Sequence, residues 1–178
     1  RFGGEVIKNV AGYDASRLMV GAMGTLGVVL QVSFKVLPAP EVTMTRTFEM
    51  SEILALEQMN IWAGRPLPLS ACAFYADRLL VRLCGSGDAV LAAGREIGGD
   101  EVHDTMTWWE SLREQALPFF AQEEPLWRLS VPPATGPMNL PGDCLIDWGG
   151  AQRWLFCEHS ADALRQVVRD AGGHATVF

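Results

Sequence analysis

A chain of 178 residues is long enough for one ordinary domain, or for one domain joined to a piece of another. Its 49% hydrophobic content supports a real core, and no apolar run is long enough to cross a bilayer as a helix. The formal net charge of −7, with Arg and Lys scattered rather than clustered, excludes the basic face that a nucleic-acid binder needs. Cys72, Cys84, Cys144 and Cys157 are widely spaced and form no C-x-x-C pair, so they read as core thiols rather than zinc or iron–sulfur ligands. The chain opens on Arg1-Phe2-Gly3, without Met or a signal-peptide pattern, and ends on HATVF. Both ends read as cut from a longer polypeptide.

The stretch Gly3–Pro38 is expected to supply a strand over GEVIKNV, a turn at Ala11-Gly12, a short helical piece capped by Asp14, a glycine bend and a long strand. In the bend, Gly21, Gly24 and Gly27 recur every third residue, which lets main chain turn sharply and approach a ligand closely. Main-chain N–H groups beside a helix start can bind an anion such as a pyrophosphate; the same glycines could equally make a plain tight turn. Their spacing is not G-x-G-x-x-G, which disfavours a Rossmann site. From Val28 to Leu37 one parity is apolar (Val28, Leu30, Val32, Phe34, Val36) and the other carries Gln31, Ser33 and Lys35, the pattern of a half-buried strand.

Pro38-Ala39-Pro40 marks a boundary between a first domain, 1–38, and a second, 39–178. The second opens with a strand over Glu41–Phe48, followed by a helix from Ser51 to about Ala63 with Ile53, Leu56 and Ala63 near one side. Strands at Ala71–Tyr75 and Arg78–Cys84 turn at Ala76-Asp77. A helix with Val90, Ala93, Gly94 and Ile97 inward follows, and a short strand at Glu101–Asp104 closes the set. The order β-α-β-β-α-β predicts a ferredoxin-like arrangement with helices on one face of an antiparallel sheet, an α+β fold.

A second, imperfect copy is predicted beyond it. Thr107 and Glu110 are spaced as a capping box for a helix ended by Pro118. Leu126–Val131 reads as a strand, Pro132–Gly142 as a loop, and Asp143–Trp148 with Gln152–His159 as a hairpin about Gly149-Gly150. Ser160 opens a last helix with Leu164, Val167, Val168 and Ala171 on one stripe, and His174–Phe178 is the closing strand.

No hydrolytic constellation stands out, and His103, His159 and His174 fall in different elements. Trp108, Trp109, Trp127, Trp148 and Trp154 crowd the second half, where indoles more often fill a core than line a ligand. Arg128 alternates between Trp127 and Leu129, which turns it to the opposite face; it suits either an exposed salt bridge or recognition of a carboxylate.

KNVAGYDASRLMVGAMGTLGVV resembles the second half of the FAD-binding domain of the vanillyl-alcohol oxidase/PCMH-type flavoproteins. The pairing of GGEVIKNVAGYD with GTLGVVLQVSFKVLP, and later LWRLSVPP, WGGAQRWL and GGHATVF, resembles within that superfamily the FAD-binding subunits of glycolate oxidase. The resemblance implies that residues 1–38 are the C-terminal part of a PCMH-type domain and that 39–178 form its cap. It implies FAD as cofactor of the longer protein, with Asn9, Gly12, Tyr13 and Asp14 near the flavin. Gly24, Thr25, Leu26, Gly27 and Val28 would meet the dinucleotide through main chain, and Arg128 would be available to a carboxylate substrate or the flavin.

The implied activity is oxidation of a 2-hydroxy acid such as glycolate to glyoxylate, with electrons leaving through the flavin. The implied partners are a catalytic flavoprotein subunit and an iron–sulfur subunit, in the cytoplasm or at the inner membrane face through those subunits. The histidine-rich metal-binding motif of catalytic relatives has no match here, which weighs against substrate turnover by this chain itself. Two alternatives remain: an independent FAD-dependent oxidoreductase of D-lactate or another hydroxy acid, and a non-catalytic assembly subunit. The piece alone is expected to be inactive and able to pair with itself through unpaired strand edges.

Overall fold

The computed structural model describes residues 15–158 and 160–178. It divides into two compact units, 1–39 and 40–178. In the first, the described residues hold a single helical turn, α1 (Ala15–Leu18), followed by the glycine bend. The expected strand Gly4–Val10 and the Asp14 cap lie outside the described residues. The expected strand over Val28–Leu37 does not form: this segment has no regular structure, and both of its parities face solvent, with Val28 84% and Leu30 94% exposed. Alternation makes a segment fit for a sheet, but a strand exists only by pairing, and no described segment pairs with this one.

The second unit is an α+β fold on one antiparallel sheet of eight strands. In chain order its elements are β1 (Val42–Glu49), α2 (Glu52–Ala63), β2 (Leu69–Tyr75), β3 (Arg78–Gly85), α3 (Gly87–Ile97) and β4 (Asp100–Val102). A connecting helix α4 (Met106–Arg113) and a 3₁₀ turn at Pro118–Phe120 follow. The second set is β5 (Leu126–Ser130), β6 (Cys144–Asp147), β7 (Gln152–Phe156), α5 (Ala161–Asp170) and β8 (His174–Val177). The sheet order is β4-β1-β3-β2-β6-β7-β5-β8. Read outward from the middle, both halves run second, third, first, fourth strand, so two ferredoxin-like repeats are joined edge to edge through their second strands.

Alternation sorts the side chains. Leu79, Val81 and Leu83 of β3 point to the face covered by α2 and α3, against Ala55, Leu56, Met59, Trp62, Val90 and Ala93. Trp127, Leu129 and Leu155 meet α5 through Leu164 and Val168 on the same side. The opposite face is covered in part by 106–120: Trp109 packs on Ala73 and Leu80, and Leu117 and Phe119 pack on Leu145, Trp154 and Phe156.

Local expectations shift where tertiary contacts outweigh them. In α2 the buried side chains are Ala55, Leu56, Met59 and Trp62, while Ile53 and Ala63, expected inward, are exposed, because Trp62 and Met59 offer more apolar area to the sheet. The capping box about Thr107 is not used. Helix α4 begins two residues earlier, after Thr105, whose hydroxyl instead meets Thr45 Oγ1 at 2.7 Å. Thr45 also accepts the Trp109 indole N–H at 3.0 Å, which fastens α4 to the sheet. The helix ends before Gln115, at a left-handed φ of 57°, ahead of Pro118. In α5 Val167 is exposed, and Leu164 and Val168 carry the contact.

Candidate functional site

Of the residues expected near a flavin, Asn9, Gly12, Tyr13 and Asp14 lie outside the described residues. Gly24, Thr25, Leu26, Gly27 and Val28 are described. Gly24 has φ +80°, and a Cβ there would meet open space, so it is kept free by backbone geometry and not by crowding. Thr25 folds back on Ala22, with both its N–H (2.9 Å) and its hydroxyl (2.6 Å) donating to the Ala22 carbonyl. The amides of Gly24, Leu26 and Gly27 have no main-chain partner among the described residues. They are donors open to an acceptor, the chemistry by which a loop holds a pyrophosphate or a flavin carbonyl. On that ground the bend fits part of an FAD cradle.

Arg128 lies in the other unit, on β5, half-buried and on the face opposite Trp127 and Leu129 as alternation requires. Its guanidinium sits 5.4 Å from the centre of the Phe178 ring, and that ring stands edge-on to Trp154 at 5.3 Å. Trp154 in turn meets Phe120 at 5.6 Å. Arg128 makes no ion pair among the described residues. It is a cation set over an aromatic ring with its fork of donors uncommitted to a carboxylate.

The tryptophans divide. Trp109, Trp127 and Trp154 are buried and Trp108 is half-buried, whereas Trp148 is 74% exposed. Trp148, Gly149 and Gly150 take consecutive left-handed φ values of 51°, 65° and 95°, a costly conformation for a tryptophan. This turn carries polar residues that sequence reasoning did not single out. Arg153 is 1% exposed and donates to the carbonyl of Gly136 at 2.9 Å and to that of Thr135, with Glu52 at 3.9 Å. Burial pulls its guanidinium below the ordinary value and pushes the Cys144 thiol up to about 12. On the opposite face Asp147, 6% exposed, accepts from Gln152 Nε2 at 3.3 Å. The sequence signal was faint: an Asp and an Arg flanking a Gly-Gly turn look like solvated hairpin charges.

No family model matches the chain, and no solved structure matches it. Among curated proteins it is 47% identical over all 178 residues to the glycolate oxidase subunit GlcE of Escherichia coli, half of whose length it covers. It is 40% identical over 70 residues to the glycolate oxidase subunit GlcD of Bacillus subtilis, 38% of this chain and 15% of that one. Over 98 residues it is 30% identical to a D-2-hydroxyglutarate dehydrogenase of Xanthomonas citri, 55% of this chain and 19% of that one. The chain therefore spans about half the length of GlcE and less than a fifth of the other two. From Arg1 to Phe178, it is similar to one half of a glycolate oxidase subunit of the GlcE kind.

Proposed function

We propose that this chain is part of an FAD-binding subunit of a glycolate-oxidising complex, which takes part in converting a small 2-hydroxy acid to its 2-oxo acid. The observation that carries the reading is the 47% identity to GlcE over all 178 residues, a span that takes in the glycine bend. Residues 1–38 belong to a PCMH-type flavin domain and 39–178 to its cap. When bound, the flavin supplies the two-electron acceptor that protein side chains lack. The bend Gly24–Val28 holds the dinucleotide by main-chain donation, with Asn9, Gly12, Tyr13 and Asp14 on the flavin side. Arg128 orients a carboxylate by a paired N–H fork. The partners are a catalytic flavoprotein subunit and an iron–sulfur subunit, and the subunit is cytoplasmic or peripheral at the inner membrane face through them. No described helix is long and apolar enough to cross a membrane.

The test is the visible spectrum and turnover of the complete subunit purified with its partners. A yellow complex bleached by glycolate is expected. Arg128→Ala should raise KM for the acid about tenfold or more while leaving flavin content unchanged, since a charge-assisted bidentate bond is worth about 1.5–3 kcal/mol. A complete subunit that refuses FAD overturns the flavin role, and an unchanged KM overturns the role of Arg128. The chain studied by itself is expected to be colourless and inactive.

A further inference from the structure

Asp147 sits where the two repeats are sewn together. β1 and β3 share eight register pairs, whereas β2 and β6 share two: Ala73 with Asp147, and Phe74 with Ile146. One of the four residues at this seam is thus a carboxylic acid shut away from water. Its Oδ2 accepts one long bond from Gln152, and its Oδ1 has no partner. An ionised carboxylate in that position is left with an uncompensated oxygen, at a cost the neutral acid largely avoids.

We propose that the β2–β6 seam is a proton-controlled joint, closed on the neutral carboxyl of Asp147 and loosened when that carboxyl ionises. No charged group pairs with it: on the same face Arg82 of β3 lies over the Trp109 ring and Arg128 of β5 over the Phe178 ring, each beyond the strand that neighbours β6. β7 presents Gln152 and Trp154, and β2 presents Ala73 with Tyr75 further along the same face. β5 and β8 continue the Asp147 row with Ser130 and His174. The segment over this face carries Glu110, Arg113 and Glu114, all exposed. Arg153 alternates to the other face with Cys144 and Glu52, and is occupied by the carbonyls of residues 135 and 136. Burial accordingly pushes Asp147 up to about 7, and the N–H groups of Gln152, which bonds it, and of Trp154, which lies near without a formed hydrogen bond, pull it only part of the way back.

The sign follows from linkage. A carboxyl whose value rises on folding stabilises the closed form fully below about pH 4; this contribution is lost as pH climbs to about 7, and stability is level beyond. Over that window the open population grows by up to about tenfold per pH unit. The joint does not depend on flavin binding or on Arg128.

The experiment is amide hydrogen exchange across the seam of the whole chain, at Phe74 and Ile146, with urea unfolding alongside, from pH 5 to 8. Protection at the seam is expected to fall by up to about tenfold per unit between pH 5 and 7 and then to level, while Asp147→Asn stays flat at the acid-side value. Protection that ignores pH, or an equal slope in the variant, overturns the proposal. If the variant does not fold, carbon-13 titration of the Asp147 carboxyl in the unaltered chain decides. A midpoint near 7 shared by the Phe74 and Ile146 amides supports the joint, and a midpoint near 4 overturns it.

Discussion

The two repeats share a strand order but are held by different physics. The first has both of its helices, and α2 and α3 seal Leu79, Val81 and Leu83 with apolar contact. The second keeps α5 but has a loop, residues 131–143, where the first repeat has α2. Loops carry carbonyls with no helical partner, and a buried guanidinium meets this one's, Arg153 donating to residues 135 and 136. Asn60 of α2 adds a bond to the Pro133 carbonyl at 3.1 Å, so the intact helix of the first repeat braces the gap in the second. A topology can be retained after an element is lost if polar wiring takes over what apolar packing did.

That contrast can be broken at its strongest point first. Arg153→Ala should destabilise the chain by about 4 kcal/mol, because it strands the carbonyls of Thr135 and Gly136 and leaves Glu52 without its buried cation. Urea unfolding measures this, and a cost under about 1 kcal/mol would show that the loop is held by packing after all. In the first repeat, Leu83→Ala removes a fully buried side chain among α2 and α3 and should cost about 3 kcal/mol, with no change in the exchange of amides in 132–143. The smallest effect, about 2 kcal/mol, is expected of Gly150→Ala. Its φ is +95°, and a Cβ would stand 2.9 Å from the Pro133 carbonyl oxygen and 3.0 Å from Leu56. Loss of protection confined to the hairpin and 132–143 would sharpen the comparison; loss spread through β1–β4 would blur it.

Much of this was legible in the chain. Val90, Ala93 and Gly94 on α3, the parity of Leu79, Val81 and Leu83, and the turn at Ala76-Asp77 are local patterns that period and turn chemistry specify. The inward set of α2 was not, since its sequence is apolar on both sides and only contact with the sheet chooses Met59 and Trp62 over Ile53. Arg128 could be assigned a face from alternation, but not its place over the ring of Phe178, which β8 brings from fifty residues away. The alternation over Val28–Leu37 was legible too, and it shows the limit of a periodicity, which describes a surface without supplying a partner.

By itself, then, the sequence determined the repeat, the order of elements along the chain and the sides of most strands, because these follow from which residues alternate and where glycine and proline interrupt them. Only the tertiary structure decided that Asp147 and Arg153 are buried. Burial of a charge is a property of what closes over it, and here that is a seam of two register pairs and a loop from elsewhere in the chain.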